Sequence, residues 1–301
     1  MSNILPSNFA LNGKNLQFQF IQGEIASIIT DKCFSPYTFT LRNFSFMIQL
    51  SLWLACIACL VASAAYFFRP ERRYTQYVGA IAIAAHTFSL TQLLLNRDGF
   101  NFLTIGLLIA IIGNSLLWFS NRDKDLSILL GTALSLGAVI ITLNAIEPWD
   151  LMQLYSNSWG TSAHILIASA AYSLFTAACG VAILLSMQEY QLKHHKLKQL
   201  LRVPPLQVLE QLMFEFIWAA SILLTITIAT GFYFIEDMFA QHLAHKTFFT
   251  IASWFVFSGL LLGRHLVGWR GQLAVKLTLS GFFLLMLGYF GSKIVLQILL
   301  Q

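Results

Sequence analysis

Apolar residues run through the chain in long blocks, and short polar stretches separate the blocks. Eight blocks follow one another at roughly 46–68, 77–95, 102–120, 127–146, 163–187, 214–235, 247–263 and 277–299. Each is close to the ~20 residues that cross the hydrocarbon core of a bilayer as a helix. The pattern predicts an all-α fold, a polytopic membrane helix bundle of about eight transmembrane helices. It leaves no room for a separate soluble domain.

The polar stretches set a direction. RPERR at 69–73 carries three arginines, and NRDKD at 121–125 carries two cations. Lys193, Lys196, Lys198 and Arg202 cluster after the fifth block, and Arg264, Arg270 and Lys276 after the seventh. The intervening stretches are poor in cations: one at 96–101, none at 147–163, and only Lys246 at 236–246. Short loops rich in Lys and Arg stay cytoplasmic, so both termini are expected outside the cytoplasm. A cysteine placed at Gln199 is therefore expected to react only from the cytoplasmic side, and one at Ser156 only from outside. Labelling of position 199 from outside in intact cells would overturn this orientation.

Two segments stand apart from the spans. Residues 1–45 are polar and mixed, with no apolar run. They are read as an N-terminal extension, either a small outward segment or a gene-start artefact ahead of Met47, and as dispensable. The transmembrane domain is then 46–301. The second segment follows the fifth block, as a basic helical extension that Pro204 and Pro205 stop. Leu206, Leu209, Met213 and Phe216 then recur at helical spacing, which predicts an interfacial helix feeding the sixth span. His194 and His195 lie among lysines and read as a solvated basic face, with no third metal ligand in reach.

Composition agrees with the pattern. The chain is 57% hydrophobic and 10% charged, against about 25% charged in soluble domains. The net charge of +5 does not point to nucleic acid, because the cations sit in short loops where they orient helices. Cys56, Cys59 and Cys179 lie inside apolar blocks, where a free cysteine packs as a small hydrophobe. The Cys56–Cys59 CxxC spacing has no redox context around it.

Candidate chemistry rests on few residues. A polar side chain within the bilayer is expensive, so each is a functional candidate. His86 lies near the middle of the second span, bonded to a neighbouring helix or serving as a haem ligand or substrate contact. The spans hold no Asp/Glu relay, which counts against a proton-coupled transporter. At the outward level His164 opens the fifth span, just after Trp149, Asp150 and Trp159. His242 and His245 lie three apart in the outward loop before the seventh span. The tryptophans are an interfacial belt or, with the imidazoles, the flat aromatic platform a porphyrin needs.

Several pieces together carry a resemblance. They are His86, HILIASAAYSLFTAACGVAILL from His164, the PPLQVLEQLMF segment within 203–214, and TGFYF near Gly231. SWFVFSGLLLGR from Ser253, GWRGQLAVK from Gly268 and LGYFGSK from Leu287 complete the set. In this order they resemble the cytochrome c assembly protein family, which includes CcsA and CcmC, nearest its HemX-like or YpjD-like branch. The resemblance covers most of the chain after about residue 75. It implies eight spans, haem binding by membrane and outer-face histidines, and a role in cytochrome c biogenesis beside other cytochrome c maturation proteins. His86 and His164 carry over as iron ligands. Haem-presenting members also hold a tryptophan-rich WWD segment in the outer loop before the seventh span; here that loop, EDMFAQHLAHK, has no tryptophan. Leu262 stands where such members place a further histidine, and none follows the YFG turn. His242 and His245 are the local candidates for that role, which the family pattern does not itself assign to them.

The expectation is a non-catalytic, multi-pass protein of the inner (plasma) membrane, with haem and the lipid bilayer as partners and no nucleic acid. Haem contacts fall to His164, His86, His242, His245, Trp149 and Trp159, with His164 and His86 as candidate metal ligands. His86 and His164 lie roughly 10–15 Å apart along the bilayer normal at helical rise. They can share one iron only if helix tilt closes that gap; the expectation is that at most one of them ligates, giving weak, substoichiometric haem b, and His164 is preferred. The runner-up is a regulatory or scaffold membrane protein of the tetrapyrrole pathway, or of another membrane partner, without haem. A small-molecule transporter comes third.

Overall fold

A computed structural model describes residues 36–68, 72–96, 100–146, 159–194, 204–234 and 244–299. They form eight helices: α1 (Pro36–Phe68), α2 (Arg72–Asn96), α3 (Phe102–Lys124), α4 (Ser127–Ile146), α5 (Trp159–Lys193), α6 (Leu206–Phe234), α7 (Ala244–Leu266) and α8 (Gly271–Leu299). All eight are long and apolar enough to cross a membrane. The fold is the all-α membrane bundle that the apolar blocks predict. The chain divides into two compact units, Met1–Gln49 and Leu50–Gln301. Of the first, the described residues Pro36–Gln49 are helical.

Local chemistry explains several boundaries. Asn101 caps α3: its Oδ1 accepts from Thr104 N at 2.7 Å, and Thr104 Oγ1 accepts from Asn101 N at 2.8 Å. This reciprocal pair satisfies two amides that a helix start leaves open. Asp125 ends α3 in the left-handed region at φ 39°, and Ser127 Oγ donates to its carboxylate at 2.9 Å. Only Asp125 and Leu126 separate α3 from α4, so the two must fold back as an antiparallel hairpin. The α7–α8 turn takes positive φ at Gly268 (78°) and Gly271 (58°), which glycine adopts without a Cβ clash.

One element departs from expectation. The segment from Leu206 is no separate interfacial helix; it is the first part of a continuous α6 running to Phe234. The amides of Val208 and Leu209 both donate to Pro205 O, at 2.9 and 3.1 Å, so the helix starts directly on the prolines. Leu209 and Met213 are fully buried and Phe216 is nearly so. Their stripe packs into the bundle instead of resting on a lipid surface, and nothing forces a bend before the span.

Helix α5 is the hub, packing on α6 most extensively and also on α3, α8 and α4. Its buried positions include Ala177, Ala178 and Ala182, small residues that let helices approach closely where no water drives association. Phe175 of α5 stacks on Phe257 of α7 with centroids 4.0 Å apart. Helix α1 is tied to α4 by Ser63 Oγ donating to Gly131 O at 2.8 Å and by the Cys56–Thr142 contact at 3.3 Å. Ser89 of α2 donates to Ser51 O of α1 at 2.8 Å. Cys56, Cys59 and Cys179 are free and buried, as packing residues should be. Large apolar side chains such as Phe119, Trp218 and Phe283 cover the outside of the bundle, the surface that lipid takes.

Among the described residues the ion pairs gather at one end of the bundle. They include Lys124–Glu215 at 2.9 Å, Arg264–Glu210 at 3.3 Å and Lys193–Glu189 at 3.1 Å. Arg264 also lies 3.6 Å over the Phe214 ring. Pairs this exposed contribute no more than about 1 kcal/mol each. Their main effect is to keep the cationic helix ends in one polar layer.

Candidate functional site

The opposite end of the bundle holds His164, in the second turn of α5. Its Nδ1 lies 3.0 Å from Thr230 Oγ1, in the last turns of α6. Thr230 has one hydroxyl proton, and its oxygen sits 2.9 Å from Ile226 O and 3.1 Å from Thr227 O. Those backbone carbonyls can only accept, and a hydroxyl proton turned to either of them leaves Thr230 Oγ1 to accept from His164. In that arrangement the imidazole proton sits on Nδ1. The Nε2 lone pair is left for a ligand. A metal-binding imidazole held through its other ring nitrogen has this arrangement.

His164 lines a cavity of about 180 Å³ between α5, α6, α7 and α8. Lys246, half-buried in the first turn of α7, lines it too, beside Thr250, Tyr172 and Tyr289. The rest of the wall is mostly aliphatic. The cavity thus combines one imidazole base, one cation and an apolar surface.

A second and larger cavity, about 530 Å³, lies between α3, α4, α5 and α8. Tyr172 and Tyr289 border both cavities. Their rings are 5.8 Å apart, and Tyr289 stacks on Phe102 at 4.6 Å. Both hydroxyls donate to backbone, Tyr172 to Leu285 O at 3.3 Å and Tyr289 to Phe102 O at 2.9 Å. These two tyrosines form an aromatic partition whose polar tips are already engaged.

The two carried-over histidines are not brought together. His86 is 1% exposed in the middle of α2, lines neither cavity, and its Nε2 has no hydrogen-bond partner among the described residues. It neighbours Asn114 of α3 and Gly137 of α4: a Cβ at Gly137 would lie 3.1 Å from Asn114 Nδ2 and 3.8 Å from His86 Cε1. Trp159 is 84% exposed at the start of α5 and walls neither cavity. Trp149 and His242 fall outside the described residues, as does the side chain of His245. Among the described residues no three His, Cys, Asp or Glu side chains group as a metal site.

The fit to a haem is partial and specific. The donor set at His164 suits one axial bond, and Lys246 suits a propionate. A volume of 180 Å³ falls below the ~300–1,000 Å³ of pockets that enclose drug-sized ligands, so a whole macrocycle is not enclosed there. The larger cavity has the volume but neither imidazole nor cation on its wall. Several residues here escape sequence reasoning. Thr230, Tyr172 and Tyr289 look like ordinary span residues until α5, α6 and α8 come together. Asn114 did carry a signal, as an amide inside an apolar block.

The model of the family described as cytochrome C assembly protein matches residues 74–300. The inner membrane protein YpjD of Escherichia coli (strain K12) is 27% identical over 232 residues, covering 76% of this chain and 88% of that protein. An uncharacterized 28.8 kDa protein in a nifR3-like 5′ region of Azospirillum brasilense is 33% identical over 140 residues, 46% of this chain and 52% of the relative. No solved structure matches the chain significantly.

Proposed function

The chain belongs to the cytochrome c assembly protein family, and on that premise we propose that it is a non-catalytic haem-handling protein of the inner membrane, holding a haem edge at His164 near the outer face. The observation that carries this reading is the imidazole itself. His164 Nδ1 is engaged by Thr230 Oγ1 at 3.0 Å, which leaves the other ring nitrogen, Nε2, free for a ligand at the wall of an apolar cavity that also holds a cation. Haem would be the cargo, and His164 Nε2 would hold it through its iron. Thr230 orients the ring and keeps the proton on Nδ1. Lys246 offers charge to a carboxylate that would otherwise enter an apolar layer unpaired. The aliphatic and tyrosine wall excludes water from one side. With a cavity too small to enclose the whole macrocycle, binding is weak and substoichiometric.

The test is a visible spectrum of protein purified gently after haem is supplied during expression. A b-type Soret band below one haem per chain is the expected result. Complete absence of the band removes the reading. The small cavity volume would then favour a second one, a scaffold protein whose family site no longer takes haem. A finer prediction concerns the tautomer. Thr230→Val keeps shape and loses the acceptor, so haem retention should fall by roughly tenfold, as other outer-shell changes do. Thr230→Ser should restore it. Equal retention in Thr230→Val and the unsubstituted protein would show that the threonine does not set the ring.

A further inference from the structure

The 530 Å³ cavity has no role in holding haem at His164, yet its wall is specific. It lies wholly within the spans, and no charged side chain lines it. Its hydroxyls are spent on helix carbonyls. Ser173 Oγ donates within 2.7 Å of Ser169 O and 2.9 Å of Ile109 O, Thr176 donates to Tyr172 O at 2.7 Å, and Thr132 to Leu129 O at 2.8 Å. The tyrosine hydroxyls are likewise engaged. Asn114 differs. It is 2% exposed, it lines the cavity, and its Nδ2 has no partner among the described residues. An amide donor left unpaired in an apolar layer is destabilising, so a group that lines a cavity in this state calls for an acceptor.

Gly137 lines the cavity beside Asn114: a Cβ at that position would lie 3.1 Å from Asn114 Nδ2, so glycine is what keeps that side of the amide uncrowded. We propose that this cavity binds a neutral, carbonyl-bearing membrane lipid, whose carbonyl oxygen accepts a hydrogen bond from Asn114 and whose chain occupies the apolar remainder. A carboxylate or phosphate is the wrong partner, because no cation lines the wall to balance it. A haem is the wrong occupant for the same reason, and because no imidazole is among the lining residues. A wholly hydrocarbon ligand would leave Asn114 unpaired. Two sources share the required chemistry: an isoprenoid quinone and a neutral diacyl glycerolipid.

The experiment uses the full chain in nanodiscs of a diether phospholipid, whose tails carry no ester carbonyl. A short-chain isoprenoid quinone and dioleoylglycerol are titrated separately, and bound ligand is read by native mass spectrometry. Saturable one-to-one binding of either probe is expected, and the probe that binds names the source. Asn114→Leu should weaken binding five- to tenfold, the size of one lost neutral hydrogen bond. Ala133→Phe fills the cavity from α4 with Asn114 retained and should abolish binding; it decides the matter alone if Asn114→Leu does not fold. Absence of saturable binding to both probes overturns the proposal. So does unchanged binding in Asn114→Leu, or in Ala133→Phe. No haem is added, so this result is independent of the one at His164.

Discussion

Replacing His164 with alanine should strip the purified protein of its b-type haem, lowering haem per chain at least tenfold. The magnitude follows from what remains. His164 is the one imidazole among the described residues lining either cavity. His86 cannot take over, because it is buried at mid-membrane and reaches neither space. The cavity at His164 is too small to retain a porphyrin by apolar contact alone. His242→Ala and His245→Ala should have smaller effects, since the axial bond is assigned elsewhere. The measurement is the Soret absorbance per protein, with size-exclusion behaviour as the check on folding. A Soret band of wild-type strength in His164→Ala would falsify the ligand assignment. A full-strength bis-histidine spectrum lost on either His86→Ala or His164→Ala would show that helix tilt joins the two after all.

The spans were legible because lipid imposes one rule, that a crossing segment be apolar for about twenty residues. All eight blocks became helices, and only their ends moved. The start of α6 was less legible. A stripe such as Leu209, Met213 and Phe216 reads the same whether it faces a lipid surface or a neighbouring helix. Spacing gives the face and not the partner. The site was legible in its rarest residue. A histidine at the edge of a span stands out against an apolar background, and the order of short family pieces singled out His164. Thr230 and Lys246 become site residues only when α6 and α7 are packed beside α5. Asn114 shows the converse. Its amide was visible in the sequence, but its meaning depends on a cavity built from four helices and on hydroxyls that are all engaged elsewhere.

The other large effect concerns packing. Gly281→Leu should prevent the protein from accumulating in the membrane, and Gly281→Ala should lower its thermal midpoint by roughly 2–12 °C. At Gly281 helix α8 meets the Phe257 ring of α7. A Cβ there would lie 2.8 Å from Cζ and 2.9 Å from Cε2, closer than real Cβ contacts allow. The ring has nowhere to go. Phe257 is fully buried, and it is stacked on Phe175 of α5, itself buried, with centroids 4.0 Å apart. Ser253 Oγ, one turn before Phe257, donates to Gly281 O at 2.8 Å and fixes the approach of the two helices from the other side. Overpacking of this kind costs about 1–3 kcal/mol for one methyl and more for an isobutyl group, and each kcal/mol moves the midpoint by ~2–4 °C in a chain of 150–250 residues. Gly259 of α7 is the internal control, because a Cβ there meets nothing within 4 Å. Gly259→Ala gains helix propensity of about 0.8–1 kcal/mol without a clash. Its midpoint should therefore rise or hold while that of Gly281→Ala falls. Both are read by fluorescence-detected size exclusion after heating. If the two alanine variants melt together, the Phe175–Phe257–Gly281 contact is not what holds α7 and α8 to the hub.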